Sequence, residues 1–131
     1  MPLRPRLGRD GPGISTRVSE REQRIAHNET VFRSANEQLR DAREELHFKA
    51  RERTPFICEC GDPGCTTTML LSLSEYEAVR RDPNTFAVVP GHDDPATESV
   101  VGNVVEPNDR FVVVEKREHL RDHTAATDPR A

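Results

Sequence analysis

Apolar residues recur every seven positions through the N-terminal third of the chain. The row is Val18, Ile25, Phe32, Leu39 and Leu46. This spacing is typical of one stripe along an α-helix. Ser19 and Glu22 fit a capping box at its start, and no Pro or Gly follows before Arg53. The pattern predicts a long amphipathic helix over residues 19–53, roughly 50 Å long at about 1.5 Å per residue.

The apolar stripe of this helix is thin. A companion row, three positions further on, reads Arg21, Asn28, Ala35, Ala42 and Lys49. A full coiled coil requires apolar residues in both rows. Two main arrangements therefore stay open, a weakly self-associating helix pair and a helix lying along its own domain; a lone solvated helix is the third alternative. A helix this long and polar needs one such partner surface to be stable.

Short apolar runs replace the helical pattern after Thr54-Pro55, which is expected to end the helix. The predicted elements are a strand over 66–71, a short helix over 75–81 capped by Ser72 or Ser74, a strand over 86–89, and a hairpin of 100–105 with 111–114. We therefore predict an α+β fold, in which a long N-terminal helix precedes a small, mostly antiparallel β domain over residues 54–117.

Both ends of the chain are polar. Residues 1–18 are rich in Pro, Gly and Arg, a composition that predicts a disordered arm. Residues 118–131 are expected to form a polar, frayed tail.

Composition limits the size of the core. Hydrophobic residues make up 34% of the 131 residues, charged residues make up 32%, and Trp is absent. A folded part this small and apolar-poor benefits from a metal staple. No apolar run is long enough to span a membrane and no secretory leader is evident, so we expect a cytoplasmic protein without membrane contact, in a reducing compartment.

Charge is unevenly distributed. Residues 1–53 carry 12 Lys/Arg and 9 Asp/Glu, whereas residues 54–131 carry 7 Lys/Arg and 14 Asp/Glu. An acidic folded half argues against a broad phosphate-binding face.

Three cysteines lie within eight residues. Cys58 and Cys60 are two apart, so their side chains project to one face of an extended strand. A Gly-Asp-Pro-Gly turn over 61–64 can return Cys65 to that face. Thiolates at this spacing predict a tetrahedral site for structural Zn²⁺. The alternatives are unrelated buried thiols, a disulfide with one thiol left over, or an iron–sulfur cluster, which usually requires a fourth Cys.

His92 is the leading candidate for the fourth ligand, because it follows a strand and the turn Pro90-Gly91. The competing groups are His119, His123, His47 and Asp62. If His92 is the ligand, the strand after Cys65 leads away from the metal and the 86–89 strand must return to it. We therefore expect these two strands to run antiparallel, with the short helix reversing the chain between them.

Five sequence segments together resemble a group of small uncharacterised bacterial proteins. The segments are Asn28–Glu37 (NETVFRSANE), the Cys-x-Cys-x4-Cys cluster, Glu75–Arg80 (EYEAVR), Phe86 with Pro90-Gly91-His92, and Val112–Lys116 (VVVEK). The group has an N-terminal helix followed by a zinc-binding domain, and the resemblance covers roughly residues 20–117. It implies that His92 is the partner of the cysteines, and it implies no activity.

Three functions are consistent with these features. The first is a small cytosolic zinc-stabilised interaction or regulatory module without catalytic activity, whose helix binds a protein partner or a second copy. The alternative is a nucleic-acid-binding transcriptional regulator that uses the zinc knuckle and the basic arm. A zinc-dependent hydrolase is the third, but the chain contains neither a His-Glu-x2-His motif nor a deaminase motif.

Overall fold

The computed structural model of the chain describes residues 19–130, and the expected arm over 1–18 lies outside this range. The elements are α1 (Glu20–Glu45), β1 (Arg53–Ile57), β2 (Thr68–Ser72), α2 (Leu73–Arg80), β3 (Thr85–Val88), β4 (Glu98–Val101), β5 (Val112–Lys116), a 3₁₀ turn (Glu118–Leu120) and α3 (Arg121–Ala126). A long N-terminal helix precedes small antiparallel sheets, which confirms the predicted α+β class. Among the helices of residues 19–130, none has an apolar stretch of the length that a bilayer crossing requires.

Helix α1 starts as predicted but ends early. The side chain of Ser19 accepts from the Glu22 amide, and the Glu22 carboxylate accepts from the Ser19 amide. At the other end His47 has a left-handed φ of 62°. The His47 amide donates to the Glu44 carbonyl and the Phe48 amide donates to the Arg43 carbonyl, which is a Schellman motif built without glycine. The predicted end at Arg53 is therefore wrong, and Thr54-Pro55 belongs to β1 instead.

The strands form two sheets. β1 pairs antiparallel with β2, and the second sheet has the order β3-β5-β4, also antiparallel. The β4–β5 pairing confirms the predicted hairpin, although β4 ends at Val101 instead of Val105. The expectation that the strand after Cys65 and the 86–89 strand run as an antiparallel pair is wrong, because β2 and β3 lie in different sheets. Instead α2 starts immediately after β2, and the chain then enters β3, which pairs with β5 in the second sheet.

Two apolar clusters lie side by side beneath these sheets. The larger one contains Phe56, Met69, Leu71, Leu73, Tyr76, Val79, Ala87, Phe111 and Val113. The smaller one consists of Cys58, Phe86, Val88 and Val114, with Cys60 and Cys65 packed against it. Cys58 is therefore part of the interior of the domain, and Cys60 and Cys65 lie at its edge.

The buried side of α1 is polar. Glu29, Arg33 and Asn36 are each about 1% exposed. The Asn36 amide group donates to the Ile57 carbonyl and to the Glu59 carboxylate, and its oxygen accepts from the Ile57 amide. Of the arrangements left open by the sequence, the structure therefore has the helix lying along its own domain.

Arg33 adds to the polar contact between α1 and the domain. Its guanidinium donates to the carbonyls of Pro83 and Thr85, and it lies 3.6 Å above the centroid of the Phe86 ring. A planar cation can combine hydrogen bonds at its edge with an aromatic ring on its face.

The predicted frayed tail is wrong for residues 118–130. The chain forms a 3₁₀ turn and α3, with Leu120 and Thr124 buried. The Asp128 carboxylate accepts from the Arg80 guanidinium at 2.5 Å and lies 3.8 Å from the guanidinium of Arg33. Two buried cations need a nearby carboxylate, and the C-terminal segment supplies it.

A buried charge cluster joins α1 to the second sheet. Lys116 Nζ on β5 lies 2.6 Å from a Glu29 oxygen and 2.8 Å from a Glu98 oxygen. Burial raises the pKa of Glu29 to about 7, although Lys116 and Arg33 favour its charged form; the Glu98 carboxylate adds to the rise. The folded protein therefore keeps a proton on Glu29 at pH values where the unfolded chain has released it.

We predict that Glu29 makes the protein less stable as the pH rises from 4.5 to 7. In this window unfolding releases the Glu29 proton, so a higher pH favours unfolding, by at most about 1.4 kcal/mol per pH unit. In Glu29→Gln this contribution to the pH dependence should disappear. Urea unfolding of both proteins between pH 5 and 8 measures it, because the difference between them cancels the titration of other groups. If the difference in unfolding free energy between the two proteins does not change with pH, the prediction is contradicted.

Candidate metal centre

The structure brings together all four predicted side chains, Cys58, Cys60, Cys65 and His92. One potential ligand atom from each lies within 4.8 Å of the other three, and the group can hold a metal ion. Cys58 directly follows β1, Cys60 and Cys65 lie on the loop between β1 and β2, and His92 follows β3. The site is therefore formed by two loops, one from each sheet.

One contact between the sheets places these loops side by side. The Glu59 amide donates to the Ala87 carbonyl at 3.0 Å, and the Ala87 amide donates back to the Glu59 carboxylate at 3.2 Å. Ala87 is in β3, whose continuation carries His92. The loop after β3 thereby reaches the cysteines although β2 and β3 are not paired.

The distances to His92 fit a tetrahedral ion. His92 Nδ1 lies 3.7 Å from Cys58 Sγ and 3.6 Å from Cys65 Sγ. Bond lengths of about 2.3 Å to sulfur and about 2.05 Å to nitrogen, at a tetrahedral angle, give a sulfur–nitrogen distance of about 3.6 Å. Nδ1 is therefore the ring nitrogen suited to bind the ion.

A backbone amide donates to one of the sulfur atoms. The Val89 amide lies 3.2 Å from Cys58 Sγ. Such bonds orient thiolates and stabilise their charge, as around bound metal ions.

The thiols are unfavourable places for uncompensated negative charge. Burial raises the pKa of Cys58, and Cys60 and Cys65 add to that rise. Burial also raises the pKa of Cys60, where Cys65 adds to the rise and Cys58 opposes it. Burial also acts on Cys65, but the hydrogen bonds from Thr67 lower its pKa. A divalent cation would supply the missing charge, because a thiol bound to a metal ion is deprotonated. All three cysteines are free, so the disulfide alternative is not found.

Helix α1 supports the metal-binding loop at Gly61. Gly61 has a φ of 78°, and a Cβ atom there would lie 2.8 Å from Ile25 Cγ2. Asn28 Nδ2 donates to the Gly61 carbonyl at 3.0 Å. The residue after Cys60 must therefore be glycine for two reasons, its left-handed backbone and its contact with the helix.

The supporting residues were missed in the sequence. Asn28 and Asn36 were part of the helix segment that carries the resemblance, but no role followed from it. Glu59 has no feature in the sequence that separates it from an exposed acid. The structure buries its carboxylate between the Asn36 side chain and the Ala87 amide. The one sequence signal that indicates polar contacts on the helix is the repeated Asn-Glu pair, Asn28-Glu29 and Asn36-Glu37.

The structure does not bring the competing ligands to the site. His119 Nε2 lies 2.9 Å from a Glu22 carboxylate oxygen, and His123 is in α3. His47 is at the far end of α1, and the Asp62 carboxylate accepts from the Gly64 amide.

A cleft of about 500 Å³ borders the site. It lies between the start of α1 and the two loops. Cys60 and His92 are in its wall, together with Arg21, Arg24 and three aspartates. Among these side chains, Arg21 and Asp94 are already paired with each other at 3.2 Å.

Comparison of the chain with family models, with curated proteins and with solved structures finds no match. The resemblance to small bacterial zinc-binding proteins accordingly stays a prediction.

We predict that Gly61→Ala destabilises the protein by more than about 1 kcal/mol, because alanine disfavours a left-handed backbone and its Cβ would clash with Ile25. Gly102→Ala is the matched control. No atom lies within 4 Å of a Cβ built at Gly102 and its φ is not in the left-handed region. Its effect should stay within about 0.5 kcal/mol. Chemical denaturation measures both, and equal effects would contradict the proposed packing at Gly61.

Proposed function

We propose that the chain is a small zinc-stabilised interaction or regulatory module without catalytic activity. The observation that carries this proposal is the closed set of three sulfurs and one imidazole at tetrahedral spacing. Zn²⁺ takes such soft ligands in four-coordinate structural sites. An iron–sulfur cluster would usually take a fourth Cys.

The role of the ion is structural. Four protein ligands leave no position for a water or a substrate, which a catalytic zinc requires. Two of the acids near the site are otherwise engaged, since Glu59 is buried in hydrogen bonds and Asp94 pairs with Arg21. The ion joins loops from both sheets, which stabilises a domain with a thin apolar core.

The proposed compartment is the cytoplasm. Three uncombined thiols at one site agree with a reducing environment, where cysteines more often bind metal than form disulfides. The proposal includes no contact with a membrane.

The proposed partner is another protein, or a second copy of this chain, bound along α1. The inner side of the helix is occupied by its own domain, whereas Val31 is 50% exposed and Leu46 is 69% exposed. These apolar side chains support a contact on the outer side. The acidic excess of residues 54–131 counts against the nucleic-acid alternative.

We predict one zinc ion per chain in protein purified without chelators, and loss of that ion in His92→Ala. Removing one of four ligands opens the site to water and weakens binding. Native mass spectrometry measures metal and copy number together. His123→Ala is the control, because His123 is a histidine on α3 outside the four-residue group and should leave the metal content unchanged. Unaltered zinc content in His92→Ala would contradict the ligand assignment, and metal-free protein of equal stability would contradict the proposed role.

We predict that the module binds through the outer side of α1. Val31→Glu places a charge on that side and should weaken association at least about tenfold, because apolar contact area becomes charged. Sedimentation equilibrium reports self-association, and capture followed by mass spectrometry reports a protein partner. Ser99→Glu, at an exposed position on β4, is the control. A protein that is strictly monomeric and captures the same proteins before and after Val31→Glu would contradict this part of the proposal.

A further inference from the structure

Helix α1 is held on the domain by two different sets of contacts. Its first turns touch the loops that carry the metal ligands. Its last turns touch α2. Since the two sets involve different parts of the domain, they can respond differently to the metal.

The contacts of the first turns are next to the ligands in the chain. Asn28 donates to the carbonyl of Gly61, which follows Cys60, and Ile25 packs against the same glycine. Arg21 pairs with Asp94, two positions after His92, at 3.2 Å. Both loops carry side chains of the four-residue group, so these contacts lie next to the proposed metal.

The contacts of the last turns lie on α2 and on β1, where the Arg43 guanidinium donates to the Pro55 carbonyl. The Tyr76 hydroxyl donates to the Glu37 carboxylate at 2.6 Å, and Arg80 lies 3.3 Å from the same carboxylate. Arg40 lies 3.0 Å from Glu77. Tyr76 and Arg80 are buried on α2, within the larger apolar cluster or beside it.

A buried ion pair marks the boundary between the two parts. Glu29 on α1 lies 2.6 Å from Lys116 on β5, and both side chains are about 2% exposed. Before Glu29, the described charged pairs between α1 and the domain are Arg21 with Asp94 and Glu22 with His119, and both are partly exposed. A partly exposed pair contributes little by itself.

We infer that the metal ion holds residues 20–28 of α1 on the domain, whereas residues 37–45 are held without it. This inference rests on the proposed metal site. Loss of the ion frees the two loops, and the first turns of α1 then lose their docking surface. The exposure of the domain-facing side of residues 20–28 therefore depends on whether the metal ion is bound. By thermodynamic linkage, docking of the helix must tighten metal binding by the same factor.

The test is hydrogen exchange on the full chain, first loaded with Zn²⁺ and then treated with a chelator. Amides of residues 24–28 should exchange at least tenfold faster after chelation, while those of residues 39–45 and of α2 change less than threefold. The first helical amides are left out, because they lack carbonyl partners in any helix. The comparison is made within one helix, so the last turns serve as the control.

Two results would overturn the inference. One is unchanged exchange at residues 24–28 after the ion has been removed. The other is an equal loss of protection from exchange in both parts of α1 and in α2. In that case the ion would stabilise the whole fold and would have no separate effect on the first turns. Failure to bind zinc in native mass spectrometry is a distinct outcome, since it would remove the proposed function as well.

A second measurement tests the same linkage by changing a helix residue and measuring the affinity for Zn²⁺. Asn28→Ala removes the bond to Gly61 without touching a ligand, and it should raise the dissociation constant for Zn²⁺ about three- to tenfold. His27→Ala, at an exposed neighbouring position, should leave that constant unchanged. Competition with a chromophoric chelator measures both. Equal affinities in a folded Asn28→Ala protein would overturn the linkage, and if this variant does not fold, the exchange comparison decides alone.

Discussion

The Glu59 carboxylate is the contact on which the other parts of the structure depend. Glu59 lies between two of the proposed ligands, and its side chain accepts from Asn36 on α1 and from the Ala87 amide on β3. It therefore ties the helix, the first sheet and the second sheet to the segment that carries Cys58 and Cys60. A buried carboxylate with two donors is stable, whereas the same carboxylate without them would be costly.

The interior of the domain is unusually polar for its size. Glu29, Arg33, Arg80, Glu98 and Lys116 are all buried. Each has a partner of opposite charge, contributed by a different element of the fold. Buried pairs add little net stability, but breaking one is costly, so they favour one arrangement over others. A chain with few apolar residues can in this way have a defined structure.

The sequence predicted the site better than the path by which the chain forms it. Thiol spacing and the Pro90-Gly91 turn were sufficient to select the four side chains that the structure brings together. The predicted arrangement of the strands between Cys65 and His92 was wrong, because it placed β2 and β3 in one sheet. Strand pairing depends on distant partners, and nothing local in β3 indicates that it pairs with β5.

The capping box at Ser19, the hairpin of β4 with β5, the α+β class and the candidate ligands could all be predicted from the sequence, since each depends on residues close together in the chain or on side-chain chemistry. The end of α1 at Glu45 is local, but no glycine in the sequence marks its left-handed residue, His47. Two further features come from the folded structure alone, namely that the buried side of α1 is polar and that residues 118–130 pack on the domain. Each of these depends on a partner far away in the sequence. Arg33 and Asn36 look like solvent-exposed residues until Thr85, Glu59 and Asp128 are placed beside them.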